Sequence, residues 1–403
     1  MASPPVIDYA GLGRTAPRTV RRWEIATLFA RLDWILLGAT AAAVAFGLWA
    51  IAGITHRDVP GDPHYYLVRQ GTYAAIGAVL LVIAVLIDPR IYQRHRRAIY
   101  FGTLGTMTFI LVAGAAARHS KRWIDLGFFR FQPSEFGKVL FVLFVAGFLA
   151  ERARRVTEAK VVISAVALAS LPILLVFLQP DIGTALVYGA ALAAVLFVAG
   201  ARWWHLAALA LAVVVSCMAI LWWLPAGGMQ VLKPYQTSRL TGFTHPTSDP
   251  RGSTYNLSQS KTAIGSGGVR GRGVGGATQT TLNYLPEHNT DFAFASLAEQ
   301  RGFLGASLLL LLYLLIVWRG LKVITLARDA FSAIAAGGIV AAFLFQVFVN
   351  VGMTMGIAPI TGIPLPFVSV GGSSMIANLL AIGILEAIYA RSVGLPARRA
   401  ASR

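Results

Sequence analysis

The chain has 403 residues, 56% hydrophobic and only 13% charged, with a mean hydropathy of +0.66 and a formal net charge of +18. These values exclude a soluble globular protein, because several charge-free runs approach the roughly 20 residues that cross a bilayer core as a helix. The single cysteine, Cys217, excludes an internal disulfide and a cysteine metal cluster, and its apolar surroundings predict a packing role.

Residues 1–31 read as a cytoplasmic tail. Positions 1–20 are rich in Pro and Arg. From Arg21 to Arg31 the arginines alternate with Trp23, Ile25, Leu28 and Phe29, the pattern of a short amphipathic helix at the membrane interface. Arg21-Arg22 evokes a twin-arginine export signal. The following apolar run is too long for a signal-peptide core and no small-residue cleavage site closes it, so it reads as a retained anchor.

Ten apolar runs follow, at roughly 34–54, 70–87, 98–117, 134–150, 161–179, 182–200, 204–224, 302–318, 330–351 and 373–390. The fourth is interrupted near its start by Glu135 and Lys138. The expected fold is an all-α integral membrane protein with about ten transmembrane helices. One membrane domain spans 32–390, with a long extracytoplasmic loop, 225–302, between helices 7 and 8, and a basic tail covers 391–403. No strong internal repeat speaks for an inverted-repeat transporter.

Charge distribution sets the orientation. Lys and Arg cluster before Arg31, in Arg90–Arg97, in Arg152–Lys160, in Arg319–Arg328 and from Arg391 onward, all on one side if the helices alternate. Short basic loops lie in the cytoplasm, so both termini are expected there. The net charge then reflects topology and affinity for anionic membrane lipid, and no nucleic-acid partner is expected.

Three outward segments depart from ordinary loops. Arg118–Ser134 mixes Lys121, Arg122 and Arg130, suited to anionic groups, with Trp123, Phe128, Phe129 and Phe131, suited to the interface. The long loop is glycine-rich and polar. Gly352–Ser374 is uncharged but holds Pro359, Pro364, Pro366 and Gly371-Gly372, so it cannot be one straight helix. Irregular backbone at that depth requires burial in protein or a cavity to line.

Several side chains are candidates for chemistry. Glu135 and Lys138, three apart, share a helix face and read either as a cavity-lining pair or as a neutralising ion pair. Asp181, after Gln179-Pro180, reads first as a helix cap. Asp291 closes the polar stretch Tyr284-Leu285-Pro286-Glu287-His288-Asn289-Thr290-Asp291-Phe292. At a water–hydrocarbon boundary it suits a general base, or else a residue satisfying the start of the next helix. Glu287 and Glu299 are competing carboxylates. The stretch Gly265–Gly276 lacks the residues of a P-loop, yet its backbone N–H groups with Arg270 and Arg272 suit a phosphate cradle as well as a turn-rich loop. Glu287, His288 and Asp291 have weak spacing for a metal set, and the sequon Asn256-Leu257-Ser258 is common by chance.

At this point the motifs resemble a known family. Ile124–Gly127 with Phe131-Gln132-Pro133-Ser134-Glu135, then Gln179–Thr184, Ala263–Gly268, Asn283–Phe292, Asn350–Thr354, Thr361–Phe367 and Gly371–Ser374 are similar, in order, to the SEDS proteins of bacterial cell-wall synthesis. The resemblance covers about residues 32–390. Gly352-Met353-Thr354 and Gly362-Ile363-Pro364-Leu365-Pro366 are spelled as in the RodA (elongation) branch rather than the FtsW (division) branch. Departures are Asn289 where His is common, Val370 where Tyr is common, and Gln300-Arg301 where Glu-Leu is common.

The resemblance implies a ten-helix peptidoglycan glycosyltransferase that polymerises lipid II on the outer face of the cytoplasmic membrane. It implies that Asp291 is the essential aspartate and that Glu135 and Lys138 are the paired charges of the fourth helix; Glu287, His288 and Ser373 join them as supporting or substrate-binding candidates. It implies a class B penicillin-binding protein, a transpeptidase, as partner within the elongation machinery. The expected chemistry is inverting transfer, with Asp291 as base, undecaprenyl diphosphate leaving, and Lys138, Arg270 and Arg272 answering its charge. No cofactor is specified; a divalent cation such as Mg2+ or Mn2+ beside the diphosphate stays an option. A lipid-linked precursor flippase and a non-catalytic scaffold for a penicillin-binding protein are the alternatives.

Overall fold

The computed structural model describes residues 25–113, 115–117, 120–125, 127, 129–229, 237 and 253–393. The expectations for the tail before Ile25, for Arg118, Phe128 and the side chains of Lys121 and Arg122, for the centre of the long loop and for the tail beyond Val393 lie outside the described residues.

Apolar sequence in hydrocarbon must satisfy its own backbone, and each of the ten apolar runs does so as a helix. In chain order the helices are α1 (Ile25–Phe29), α2 (Trp34–Ile54), α3 (Tyr65–Leu86), α4 (Pro89–Arg94), α5 (Arg96–Ala113), α6 (Pro133–Ala150), α7 (Ala159–Leu178), α8 (Ile182–Val198) and α9 (Trp203–Ala226). Beyond the long loop's centre come α10 (Ser253–Gly267), α11 (Gly273–Gly276), α12 (Thr278–Thr281), α13 (Ala293–Leu326), α14 (Ala330–Met355) and α15 (Gly372–Val393). The ten long members, α2, α3, α5–α9 and α13–α15, correspond to the ten expected spans, and the chain is a multi-span membrane protein. The short α1 belongs to the stretch expected to be amphipathic: Leu28 and Leu32 bury against Val85 and Ala390.

The departure from all-α is small. The third expected span stops at Ala113, and the chain turns into an antiparallel sheet of β1 (Ala115–Ala117), β2 (Ser120–Asp125) and β3 (Arg130–Phe131), in that order. Ala117 pairs with Ser120 and Ile124 with Phe131.

Burial sorts the helices. In their most apolar windows, 83%, 78% and 89% of α6, α14 and α15 is buried, against 0% of α9, so the first three form the centre of the bundle and α9 its rim. Cys217 on α9 is exposed, which corrects its expected packing role: among the described residues no helix covers that face. Close approaches are made where a side chain would not fit. A Cβ on Gly47 of α2 would lie 2.1 Å from the Phe367 carbonyl oxygen, and one on Gly383 of α15 would lie 2.5 Å from that of Leu81.

The two ends of the bundle differ. At one end Asp33, which caps α2, accepts from Arg319 of α13, and its own N–H bonds Glu386 of α15 at 2.8 Å. The opposite end carries 55–64, the sheet, α10–α12 and the segment 356–371. That segment begins where Gly356 takes a left-handed conformation (φ 77°) and ends α14, as the Pro and Gly content of Gly352–Ser374 predicts.

Candidate active site

The stretch 284–292 is a compact turn pinned at both sides by apolar burial. Leu285 and Phe292 are fully buried in a small cluster with Leu257, Ala263, Ala295 and Ile360. Between them Glu287 adopts a left-handed backbone (φ 56°), an uncommon conformation for a residue with a side chain. Its carbonyl collects the N–H groups of Thr290 and Phe292, each at 3.1 Å. The Glu287 side chain accepts from the Thr290 hydroxyl at 2.8 Å, and Asp291 is half-buried at the end of the turn. The N-cap of α13 is Phe292, whose side chain bonds nothing in the first turn.

Distant segments then hold this turn. Val370 N–H donates to the Asn289 carbonyl at 2.8 Å, and the Ser369 hydroxyl donates to the Thr290 carbonyl at 2.5 Å. Asn350 of α14 donates through Nδ2 to the carbonyls of Asp291 (3.0 Å) and Ile363 (2.7 Å). Gln70 of α3 binds the other side of the same segment, donating to the Ser369 carbonyl at 3.0 Å and accepting from Gly371 N–H at 3.2 Å. His288 Nε2 lies 2.9 Å from Asp58, and Asn289 Nδ2 donates to the second oxygen of Asp58 at 2.8 Å.

Glu135 and Lys138 are both buried and bond each other at 2.8 Å, so the cavity-lining and ion-pair readings hold together. They line a cavity among α6, α13, α14 and α15 with Gln346 and Asn378. Gln346 precedes Asn350 by four residues on α14, so this cavity lies roughly 6 Å of axial rise from the contact to Asp291. Above the pair, the Ser373 hydroxyl accepts from Gln132 N–H at 2.9 Å and donates to the Arg130 carbonyl at 3.1 Å, tying α15 to β3. Asp181 caps α8 through Thr184 N–H and also accepts from Gln132 Nε2, both at 3.1 Å.

The glycine-rich stretch has another structural task. Gly302 (φ 66°) kinks α13, and Phe303 and Leu304 N–H donate to the carbonyls of Gly268 and Val269 at 2.8 and 3.1 Å. Arg272 N–H donates back to the Glu299 carbonyl at 2.9 Å and Gly271 N–H to Gly267 at 2.8 Å. The amides of Gly271 and Arg272 are therefore committed, which corrects the backbone cradle expected of them. Arg270 and Arg272 remain as exposed side chains; Arg272 Nε bonds the Ser266 carbonyl, while among the described residues Arg270 has no ion-pair partner. Glu299 is fully buried and accepts from Gln279 N–H, Thr280 N–H and the Thr280 hydroxyl at 2.7–3.0 Å, so it is a structural clamp on α12 rather than a rival base.

Among the described residues no group of three His, Cys, Asp or Glu side chains converges on a metal position. His288 faces Leu285 and Asp58 rather than Asp291, so the site does not fit a divalent cation held by protein ligands alone. Asp58, Gln70 and Ser369 were not singled out from sequence. Asp58 and Gln70 stand in no motif and Ser369 falls between two, and it is partners 79 to 301 positions away that mark all three.

The family model described as "Cell cycle protein", for FtsW, RodA and SpoVE, matches residues 30–393. The chain belongs to this family. Within the FtsW/RodA/SpoVE family it is 36% identical to the peptidoglycan glycosyltransferase MrdB of Escherichia coli (strain K12), over 89% of this chain and 94% of that one. Its fold is similar to a chain of a peptidoglycan synthase complex described as coordinating polymerisation and crosslinking. That match has a TM-score of 0.76 and 28% identity, over 90% of this chain and 99% of that one. It is also similar to the rod shape determining protein RodA of Thermus thermophilus, with a TM-score of 0.63 and 27% identity over 89% and 96% of the two chains. The family match thus covers the whole bundle and all the segments that hold Asp291.

Proposed function

We propose that this protein is a membrane peptidoglycan glycosyltransferase that polymerises lipid II into glycan strands during cell elongation. The carrying observation is the convergence of the Asp291 turn with segment 356–371 and the loop 55–64, one helical turn of α14 from the buried Glu135–Lys138 cavity. The name of its relative MrdB and the RodA-like spelling of its motifs support the reaction class and the branch.

The chemistry follows from the residues. The acceptor sugar's 4-hydroxyl attacks the anomeric carbon of the donor, and Asp291 takes the hydroxyl proton. A new C–O bond forms as the bond to undecaprenyl diphosphate breaks, and the electron pair leaves on the diphosphate with inversion at carbon. Diphosphate leaves without a general acid, so one base suffices; paired-carboxylate glycosidases are an analogy only. Negative charge on the leaving group calls for cations. Among the described residues Arg270 is the least engaged of the candidates, because Lys138 already neutralises Glu135 and Arg272 is partly committed to Ser266. Glu287, His288 and Ser373 act as supports of the two walls rather than as reacting groups.

The orientation belongs to the same proposal. Basic clusters at Arg90–Arg97, Arg152–Lys160 and Arg319–Arg328 accompany the end that joins Asp33 to Glu386, so that end is cytoplasmic and the Asp291 end faces outward in the bacterial inner membrane. A class B penicillin-binding protein is the expected partner, supplying crosslinking to new strands.

Polymer formation from purified lipid II, with and without such a partner, tests the assignment. A general base contributes about 10²- to 10⁴-fold, so Asp291→Asn should lose at least about 100-fold in rate. Polymer at the wild-type rate from that variant would sink the assignment. Translocation of lipid II in liposomes without polymer would point to a flippase instead.

A further inference from the structure

The loop 55–64 between α2 and α3 carries no motif, yet its Asp58 reaches a partner 230 positions away. The two oxygens of Asp58 face donors on consecutive residues, His288 Nε2 at 2.9 Å and Asn289 Nδ2 at 2.8 Å. The Asp58 and His288 side chains are only 11% and 9% exposed. A carboxylate withdrawn this far from water is kept only where donors replace its hydration. The other nitrogen of His288 faces the Leu285 carbonyl at 3.2 Å. Both ring nitrogens thus meet acceptors, and both contacts are hydrogen bonds together only when the ring carries both protons.

Other restraints on the turn run through its backbone. Val370, Ser369 and Asn350 hold the carbonyls of Asn289, Thr290 and Asp291 in turn. Asp58 instead grips side chains, and it does so from the loop between α2 and α3. Two bonds to neighbouring residues fix rotation as well as position, which one bond does not. The helices flanking Asp58 do not depend on it for their place: Gln70 bonds Ser369 and Gly371, and Gly47 and Gly77 pack closely on Phe367 and Leu379.

We propose that Asp58 is a positioning residue for Asp291, aiming the base at the acceptor hydroxyl by its paired hold on His288 and Asn289. The inference rests on the reading of Asp291 as the base. A misplacement of about 1 Å in a reacting group costs on the order of 100-fold in rate, while substrate binding elsewhere is untouched. In this chain Asn289 stands where His is common, so the second bond depends on an amide donor that can be exchanged with its acceptor.

The test uses the full-length protein and purified lipid II, with rates and melting temperatures for wild type, D291N, D58A, D58N and the double variant D58N/N289D. D58A should lose about 10- to 100-fold in kcat with KM changed less than about threefold. D58N keeps one acceptor and presents an amide donor where Asn289 also donates, so it should be impaired. In D58N/N289D the amide of residue 58 donates to residue 289 and its carbonyl still accepts from His288, and kcat should recover by at least about fivefold over D58N, within the range that one bond restores. Wild-type kcat in D58A, or a double variant no faster than D58N, overturns the inference. Should D58A fail to fold, the comparison of D58N with the double variant decides alone. Polymer lost in D291N but kept in D58A removes only the positioning role, whereas wild-type polymer from D291N removes the base and this inference with it.

Discussion

One cluster of buried charge in this protein lies far from the site. Asp33, Arg319 and Glu386 meet at the other end of the bundle, where the Asp33 and Arg319 side chains are 1% and 6% exposed and Glu386 is fully buried. Removing the single cation strands two carboxylates away from water. Arg319→Ala should therefore destabilise the fold by about 3–5 kcal/mol, read as a fall in melting temperature in detergent, with the Asp291 turn itself unaltered. An unchanged melting temperature would show that water reaches this cluster. The same accounting separates the carboxylates of the long loop. Glu299 faces two backbone donors and a hydroxyl, and Glu299→Ala would leave them unpaired at about 1–3 kcal/mol. From the residues alone Asp291 is the favoured base and Glu299 a competing carboxylate near the start of a span. Glu299 is set apart by its donors, which lie on α12 and give it a structural task.

At the scale of elements, helices were legible where the physics is local. Uninterrupted apolar runs such as Trp34–Ile54 and Ala330–Met355 match expectation closely at their starts, because in hydrocarbon each residue must bond within its own segment. The start of α13 was not legible. The expected span began at Gly302, whereas helix begins at Ala293 and Gly302 is a kink inside it. Polar Glu299, Gln300 and Arg301 hide that first stretch, and a backbone–backbone crossing with Gly268–Arg272 stabilises it. The crossing needs two glycines: a Cβ on Gly271 (φ 82°) would lie 2.3 Å from the Gln300 carbonyl oxygen, and one on Gly302 would lie 2.3 Å from Gly271 N. Gly302→Ala should lower stability by at least about 1–3 kcal/mol and slow polymer formation with it. A variant as stable and active as wild type would mean that the kink is dispensable. The glycines read as a phosphate cradle from sequence are thus at least partly a joint between loop and helix.

For the whole molecule, the arrangement makes a claim about sides. With Cys217→Ser as background, a cysteine at Arg270 should react with a membrane-impermeant maleimide in intact cells. A cysteine at Arg154 should react only after lysis. The reverse pattern would invert the orientation and put the Asp291 end in the cytoplasm, where a polymerase of outward-facing lipid II has no substrate. Bundle centre and bundle rim differ in the same global sense. α6, α14 and α15 gather Lys138, Gln346, Asn350 and Asn378 inward, while α9 offers Trp222, Trp223 and Val214 to its surroundings. Hydropathy alone did not separate these helices, since α9 and α14 are both strongly apolar. By itself the sequence determined the ten spans in outline, the break within Gly352–Ser374, the basic end and, through its motifs, the family. Those properties depend on short windows of chain or on order along it. Only the tertiary structure decided which groups hold Asp291, because Asp58, Asn350 and Ser369 reach its turn across 59 to 231 positions, and no local pattern encodes such an approach.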